Sequence, residues 1–247
     1  MSQVEIKFLG SGDAFGSGGR LQSCILVKHE DDQFLIDCGA SCMIGINRFE
    51  INPNNIKIIL ISHLHGDHYG GIPFLVNGSQ LIFKRTEPLL ILGPPGTKEL
   101  LINAMEVMFP GSSRVQRKFA LDIREFSDRR PETAGGVTVT PYLNFHLQVD
   151  PSFALRIECG GKIIGYSSDT QWTDALLDVA GAADLFIAEA YFYEKQVKGH
   201  MDYVTLMNHY EETGAKRLVL THMSRDMLSM SDKVTCECAE DGKIIRI

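Results

Sequence analysis

Short stretches in which apolar and polar residues alternate open this chain and predict half-buried β-strands. In the first of them, Val4–Phe8, every second residue is apolar. Two further apolar stretches, Cys24–Val27 and Gln33–Ile36, flank the polar residues His29–Asp32 and predict a β-hairpin. The apolar run Ile58–Ile61 predicts a short buried strand. The first part of the chain is therefore expected to build a sheet.

Four apolar runs in the second half of the chain each end beside a residue that can bind a metal or move a proton. The runs and the residues that follow them are Val137–Phe145 with His146, Lys162–Ser168 with Asp169, Asp184–Ala188 with Glu189, and Leu218–Thr221 with His222. Enzymes of the α/β class collect such side chains at the carboxyl ends of successive strands. We therefore expect these four residues to lie together at one edge of a sheet.

Three segments have the apolar spacing of α-helices and lie between predicted strands. They are Thr97–Phe109, Trp172–Ala180 and Asp202–Thr213. The last begins with Asp202 as its N-cap and ends before Gly214, which is a helix stop signal. Strands that alternate with helices indicate α/β layers. Because no linker rich in Pro, Gly and Ser interrupts the pattern, we predict a single domain over residues 1–247.

The composition and the charge narrow the classes of function. With 247 residues, of which 44% are hydrophobic and 22% charged, the chain can bury a sizeable core. Its formal net charge of −7 is not that of a general nucleic-acid binder, so a polyanionic substrate would need a local basic patch. Arg114, Arg117 and Lys118 form one basic stretch, although such a run is more often a solvated face. No apolar run approaches the roughly 20 residues that a membrane span needs.

The six cysteines are expected to be reduced thiols. Met1–Leu9 has the alternation of a strand and not the apolar core of a targeting peptide, so we predict a cytoplasmic protein. Cys236 and Cys238 form a Cys-x-Cys pair that could bind a metal or act in redox chemistry. No second Cys or His pair lies nearby at zinc-site spacing, so a chance pairing is the simpler interpretation.

A dense cluster of metal-binding residues follows the strand predicted at Ile58–Ile61. His63, His65, Asp67 and His68 lie within six residues. Positions two apart in an extended chain project to the same side, so His63 and His65 can share one cation, while a turn at the intervening glycine lets Asp67 and His68 face a second. Imidazole nitrogens with a carboxylate oxygen suit zinc, manganese or iron. A polar turn is the alternative, but turn chemistry does not call for three imidazoles.

These motifs together resemble those of the metallo-β-lactamase superfamily. The matching motifs are His63-x-His65-x-Asp67-His68, the single His146, Asp169 in Ser-Ser-Asp-Thr and His222 in Leu-Thr-His-Met. The resemblance covers nearly the whole chain. It implies the α/β fold of that superfamily, a four-layer αβ/βα sandwich, with a binuclear metal site at one edge.

Within the superfamily, the chain resembles in particular the ribonuclease Z branch and its phosphodiesterase relatives. The similar segments are Phe8–Gly12, Arg85–Pro88 with Gly93–Gly96, and Ala188–Ala190 followed by Gly199 and His200. The resemblance implies a first metal bound by His63, His65 and His146, a second bound by Asp67, His68 and His222, and a bridging Asp169. Asp67 would also lie against a metal-bridging hydroxide, and Asp37 would support the ligands from behind. Glu189 and His200 resemble a general-acid dyad.

Two features depart from the ribonuclease Z pattern. In that branch a long arm that grips tRNA is inserted between the positions of His146 and Asp169, but here Asp169 follows His146 by only 23 positions, enough for a hairpin. The dyad histidine of the branch usually precedes Ser-Thr, whereas His200 precedes Met201 and Asp202. The first departure makes folded RNA an unexpected substrate, and the second weakens the dyad assignment.

The function predicted from these observations is metal-dependent hydrolysis of a small or cyclic phosphodiester, with two divalent transition-metal ions, zinc first and manganese or iron as options. A thioester, lactone or lactam hydrolase is one alternative, since the same chemistry attacks carbonyls, and a ribonuclease Z-type nuclease is another. A silent scaffold is a third, although the expected ligands are all present. An oxygen-reducing di-iron protein is disfavoured by His65. A homodimer is one option that the sequence leaves open.

Overall fold

A computed structural model of the protein describes residues 3–146 and 151–247, whose strands form two seven-stranded sheets. The strands of the first sheet, in chain order, are β1 (Glu5–Gly10), β2 (Cys24–His29), β3 (Asp32–Ile36), β4 (Ile56–Leu60), β5 (Leu89–Gly93), β6 (Leu121–Glu125) and β14 (Ile244–Arg246). Those of the second are β7 (Glu132–Ala134), β8 (Val137–Leu143), β9 (Phe153–Cys159), β10 (Lys162–Tyr166), β11 (Leu185–Glu189), β12 (Leu218–Thr221) and β13 (Glu237–Cys238).

The spatial order of each sheet explains where its strand ends meet. The orders are β14-β1-β2-β3-β4-β5-β6 and β13-β12-β11-β10-β9-β8-β7. The strands from β3 to β6 pair in parallel, and so do those from β10 to β13. Each sheet therefore has several carboxyl strand ends at one edge, which is the arrangement expected from the apolar runs that end in polar residues.

Helices cover the outer face of each sheet. They are α1 (Cys42–Arg48), α2 (Gly66–Tyr69), α3 (Ile72–Leu81), α4 (Thr97–Met108), α5 (Ala175–Ala180), α6 (Tyr203–Thr213) and α7 (Arg225–Leu228). Short 3₁₀ helices lie at Ser17–Gly19, Pro53–Asn55, Ser112–Arg114 and Ser231–Lys233. Helices α1, α3 and α4 contribute buried apolar residues to one outer cluster, and α5, α6 and α7 contribute to the other.

The largest apolar cluster lies between the two sheets. Phe8, Val27 and Phe34 of the first sheet pack in it with Leu155 and Ile187 of the second, all of them fully buried. With helices outside both sheets, the layers run helix, sheet, sheet, helix. This confirms the predicted four-layer αβ/βα sandwich. The single domain over residues 1–247 stays a prediction.

Local sequence signals explain most element boundaries. The predicted hairpin is present, since β2 and β3 pair antiparallel across residues 30 and 31. Asp202 caps α6 by accepting a hydrogen bond from the Thr205 amide (2.8 Å), and Gly214 ends it in the left-handed conformation (φ 65°). Helix α5 begins at Ala175 and not at the predicted Trp172, whose ring stacks instead on His209 (4.3 Å between ring centroids).

Several strand ends turn sharply as they leave the sheets. Asp37 after β3, Ser168 after β10 and His222 after β12 all have positive φ, at 58°, 56° and 56°. For residues other than glycine this conformation costs about 1–3 kcal/mol and is kept where surrounding contacts fix it, commonly at functional sites. All three residues are buried and belong to the region described below.

The segment between His146 and Asp169 forms β9 and β10 as far as it is described, that is, from residue 151 onward. These two strands pair antiparallel, as a hairpin does. Among residues 3–146 and 151–247, none of the helices has the length and hydropathy of a membrane span.

Candidate metal centre

Three histidines from distant parts of the chain form a first group of potential ligands. His63 and His65 follow β4, and His146 follows β8. Their ring centroids are 4.7 to 5.0 Å apart. His65 Nδ1 and His146 Nε2 face each other at 3.1 Å. One nitrogen of each ring lies close enough to the others for all three to share one cation.

The outward-facing nitrogens of two of these rings are occupied by other contacts. His63 Nδ1 lies 3.2 Å from the hydroxyls of Ser62 and Ser168, which leaves His63 Nε2 buried with no hydrogen-bond partner. His146 Nδ1 donates to the Gly199 carbonyl at 2.7 Å, so His146 Nε2 is the acceptor. A ligating histidine typically has its second nitrogen fixed in this way, because that bond orients the ring and sets its tautomer.

A second group combines two carboxylates and two imidazoles, all buried. His68 Nε2 lies 3.2 Å from Asp67 Oδ2 and 3.3 Å from Asp169 Oδ1. His222 Nε2 lies at the same distances from Asp67 Oδ2 and Asp169 Oδ2. The two carboxylates therefore lie between the two rings, and each oxygen of Asp169 faces a different ring. One cation at the centre of this group could reach all four side chains.

Asp37 accepts a hydrogen bond from the nitrogen of His68 that faces away from the second group. His68 Nδ1 and the Tyr166 hydroxyl each donate to Asp37 Oδ2 at 2.7 Å, and the Ser62 amide donates to Oδ1 at 2.8 Å. All of these groups are buried. Asp37 is therefore outside the ligand groups but fixes the orientation of His68, in agreement with the supporting position expected of it.

The electrostatics of the two groups differ. Burial and the neighbouring His68 hold the pKa of His63 well below its usual range. Burial also disfavours a charged His222, yet the carboxylates, led by Asp169, outweigh it and raise the pKa of His222 to about 10. The pKa of His68 is likewise raised against burial, by Asp169, Asp37 and Asp67. The carboxylates of the second group thus stabilise positive charge at this spot.

The residues present fit divalent metal ions. Buried charged and polar atoms are costly unless they find partners, yet His63 Nε2, His68 Nε2 and Asp169 Oδ1 have no hydrogen-bond partner. A cation in each group would give these atoms a partner and would balance the buried carboxylates. Nitrogen and carboxylate donors together are typical of zinc, manganese and iron sites.

Buried Glu189 and half-buried His200 form a hydrogen-bonded pair beside the two groups. Glu189 Oε1 lies 2.5 Å from His200 Nδ1, and Oε2 accepts hydrogen bonds from the amides of Thr170 (2.9 Å) and Met201 (3.1 Å). Burial lowers the pKa of His200, but the hydrogen bond to Glu189 raises it, and the net effect is a rise. The imidazole therefore carries a proton more readily than a free histidine does.

Glu189 and His200 could also join Asp169 and His222 in a third group around a cation. The contacts argue against it. Glu189 Oε2 is occupied by two amides and Oε1 by His200, although His222 Nδ1 also faces Oε1 at 3.4 Å, and His222 Nε2 faces Asp67 and Asp169. The arrangement is better suited to holding and donating a proton.

The structure brings together the seven residues that the resemblance implied as metal ligands, and it adds others. Tyr166 and Ser168 contact Asp37 and His63, and the ring of Tyr191 stacks on His200. Neither tyrosine stands out in the sequence, because each lies in or directly after an apolar run. Gly199 was named from the sequence only as the neighbour of His200, and the structure shows that its carbonyl accepts the hydrogen bond from His146 and that its φ is positive (84°).

Other candidates from the sequence lie elsewhere. Arg114 pairs with Glu106 (3.6 Å), and the guanidinium of Arg117 donates to the Ser112 carbonyl (2.8 Å). In the described part of the chain, Cys236 and Cys238 are free and partly buried, and they belong to none of the three groups. None of these four residues therefore belongs to the ligand groups.

Comparisons with known proteins agree with the fold. A family profile described as the anti-Pycsar protein Apyc1 matches residues 4–244. Ribonuclease Z of Bacillus cereus (strain ATCC 14579) is 26% identical over an alignment 273 positions long, which covers 90% of this chain and 89% of that protein.

Solved structures give the same picture. Human tRNase Z, short form (ELAC1), has a TM-score of 0.78 and 26% identity, covering 98% of both chains. The metallo-β-lactamase fold protein YhfI from Bacillus subtilis has a TM-score of 0.81 and 22% identity, covering 99% of this chain and all of that one. The expected superfamily and the expected enzyme class, a metal-dependent hydrolase, are thereby confirmed. The chain belongs to the family of the anti-Pycsar protein Apyc1, in the ribonuclease Z-like branch of the metallo-β-lactamase superfamily.

Proposed function

We propose that this protein is a binuclear-metal-dependent phosphodiesterase that acts on a small or cyclic phosphodiester. The observation that carries the proposal is the placement of the hydrogen-bonded Glu189–His200 pair directly beside two adjacent ligand groups. Binding groups alone would suit many hydrolases. A proton donor of this kind is needed when the leaving group is an alkoxide, which departs poorly without a proton. The cytoplasmic location expected from the sequence stays a prediction.

His63, His65 and His146 would hold one cation, and Asp67, His68 and His222 the other. Asp169 would bridge them, because its buried carboxylate lies between His68 and His222 and also acts electrostatically on His63. Zinc is the preferred ion for this donor set. When bound, two such ions would make water a nucleophile near neutral pH and neutralise charge on the phosphoryl oxygens.

The chain's own residues supply the remaining steps. Asp67, whose Oδ2 lies between His68 and His222, would orient the attacking water by accepting a hydrogen bond from it. His200 would donate the proton on Nε2 to the departing alkoxide oxygen as the bond from phosphorus breaks. Glu189 would keep its hydrogen bond to His200 Nδ1 and stabilise the imidazolium before that transfer.

Metal content gives the first test. We expect about two zinc or manganese ions per chain after reconstitution, because two separate groups of buried donors need a cation each. Elemental analysis of the desalted protein measures the ratio directly. The Cys236→Ser variant is the control, since its thiol lies outside the groups and its loss should leave the ratio unchanged. A ratio that stays near one under excess metal would contradict the binuclear site.

The net charge of the chain and the short segment between His146 and Asp169 favour small substrates over folded RNA. Binding of folded RNA requires Lys and Arg that neutralise several phosphates beyond the catalytic pocket. The chain has a net charge of −7, and the described residues after 150 lead directly into β9 and β10. The basic stretch of Arg114, Arg117 and Lys118 supplies only three cations, and Arg117 already donates to the Ser112 carbonyl.

We therefore expect the metal-loaded protein to cleave bis(p-nitrophenyl) phosphate or a cyclic nucleotide while leaving precursor tRNA uncut at physiological salt. Ribonuclease Z of Bacillus cereus in the same buffer is the positive control for the tRNA assay. Efficient 3′ trimming by this protein would replace the small-substrate proposal by a nuclease. Faster turnover of thioesters or lactones than of any phosphodiester would favour the carbonyl hydrolase alternative.

A further inference from the structure

The ring of Tyr191 covers one face of His200. The two ring centroids are 4.5 Å apart and the ring planes differ by 26°, so the phenol lies nearly flat against the imidazole. The edge of His146 meets His200 at 4.8 Å with an angle of 79°. Only 21% of the His200 side chain is exposed. The ring of His222 is also nearly parallel to that of His200 (12°), but its centroid is 6.2 Å away, so among the described residues Tyr191 has the nearest stacked ring.

The backbone of Tyr191 is fixed to the segments that carry His200 and His222. Its amide donates to the Met201 carbonyl (2.8 Å), and its carbonyl accepts from the Ser224 amide (3.1 Å). Tyr191 itself follows Glu189 by two positions, directly after β11. Its ring therefore has a defined position relative to Glu189, His200 and the second ligand group.

A single hydrogen bond does not fix an imidazole. The bond from His200 Nδ1 to Glu189 sets one point of the ring, but the ring can still tilt about that bond. Such a tilt moves Nε2, which is the atom that would deliver the proton. A flat aromatic neighbour opposes the tilt, because the stacked contact is lost as the planes separate. An error of 1 Å in the position of a reacting group can cost about a hundredfold in rate.

We propose that Tyr191 is a positioning residue that holds the His200 imidazole in the orientation needed for proton transfer to the leaving group. The proposal rests on the proposed function, in which His200 is the general acid. The ring of Tyr191 does this work, and its hydroxyl is not required. No other residue in the described ranges combines a stacked contact with His200 and backbone bonds to both neighbouring segments.

Tyr191→Leu removes the ring, and Tyr191→Phe removes only the hydroxyl. Both would be assayed, zinc-loaded, on a series of methyl aryl phosphates whose phenols range from acidic p-nitrophenol to weakly acidic phenol. We expect Tyr191→Leu to lower kcat by roughly tenfold to a hundredfold for the phenol ester and by much less for the p-nitrophenol ester, with KM unchanged. Tyr191→Phe should restore the wild-type dependence on the leaving group.

Tyr193→Leu is the matched control. Tyr193 is a half-buried aromatic residue two positions further on, and its ring stacks on Tyr203 (5.3 Å) and has no ring contact with His200. Loss of its ring should change kcat by the same factor for every ester of the series. Metal content would be measured for every variant, because an altered metal ratio would mean that Tyr191→Leu acts on the ligand groups, and this would overturn the proposal.

A double mutant separates the positioning role of Tyr191 from the general-acid role of His200. If Tyr191 acts through His200, adding Tyr191→Leu to His200→Ala should cause no further loss of kcat for the phenol ester. A further loss of tenfold or more would show that Tyr191 acts independently and would overturn the positioning role. If His200→Ala alone lowers kcat by the same factor for every leaving group, the general-acid part of the proposed function fails instead. The His200 imidazole signals in nitrogen-15 spectra should broaden in Tyr191→Leu and not in Tyr193→Leu.

Discussion

Asp169→Asn is expected to cause the largest loss of activity of any isosteric substitution in this protein. Its two oxygens lie 3.3 Å from His68 Nε2 and from His222 Nε2, so its charge serves both sides of the second group. Asn keeps the shape but removes the charge that would bridge two cations. We expect kcat/KM to fall at least about a thousandfold, equivalent to about 4 kcal/mol of transition-state stabilisation, with a lower metal ratio.

Asp174→Asn is the control for this substitution. Asp174 is exposed at the start of α5 and its side chain makes no capping hydrogen bond, so its loss should change neither activity nor metal content. Circular dichroism would show that both variants fold. An Asp169→Asn protein with full activity and two bound metals would contradict the bridging role.

His200→Ala is expected to keep its metals and to lose activity in a way that depends on the leaving group. A general acid contributes about 10²–10⁴-fold to rate, and this contribution is largest when the departing oxygen is strongly basic. We therefore expect a loss of that order with a cyclic nucleotide, whose leaving group is an alkoxide. With bis(p-nitrophenyl) phosphate the loss should be small, since p-nitrophenolate departs without a proton.

His209→Ala controls for the removal of an imidazole. His209 lies on α6, where it stacks on Trp172 and belongs to none of the ligand groups. Loss of this imidazole should leave the activity on both substrates unchanged. Equal losses with both substrates in His200→Ala would instead assign His200 to substrate binding or to the structure of the site.

Patterns that are local in the sequence predicted the parts of the structure that depend on local physics. Period-two alternation and short apolar runs predicted β1 to β4 and β10 to β12, because the residues of a strand themselves decide which of its faces can be buried. The cap of Asp202 and the stop at Gly214 predicted α6 for the same reason. Helix α5 was predicted three residues too early, since Trp172 lies before the helix with its ring stacked on His209.

The ligand candidates could be proposed from the sequence because their types are rare and dense. Three imidazoles within six residues have no role in turn chemistry, and single ligands at the ends of apolar runs meet wherever parallel strands share an edge. The sequence therefore determined which residues were candidates. It did so even for His146, which lies 81 positions from its neighbour His65.

Only the tertiary structure decided how these candidates are arranged and supported. Tyr166 donates to Asp37 across 129 positions, and His146 donates to Gly199 across 53. The positive φ of Asp37 is likewise held by contacts from other strands. No periodicity records such contacts, because each depends on the packing of two sheets against each other. The chain's sequence thus determined the fold class and the candidate donors, whereas the packed sheets decided which nitrogen of each histidine faces the centre and that Tyr191 lies on His200.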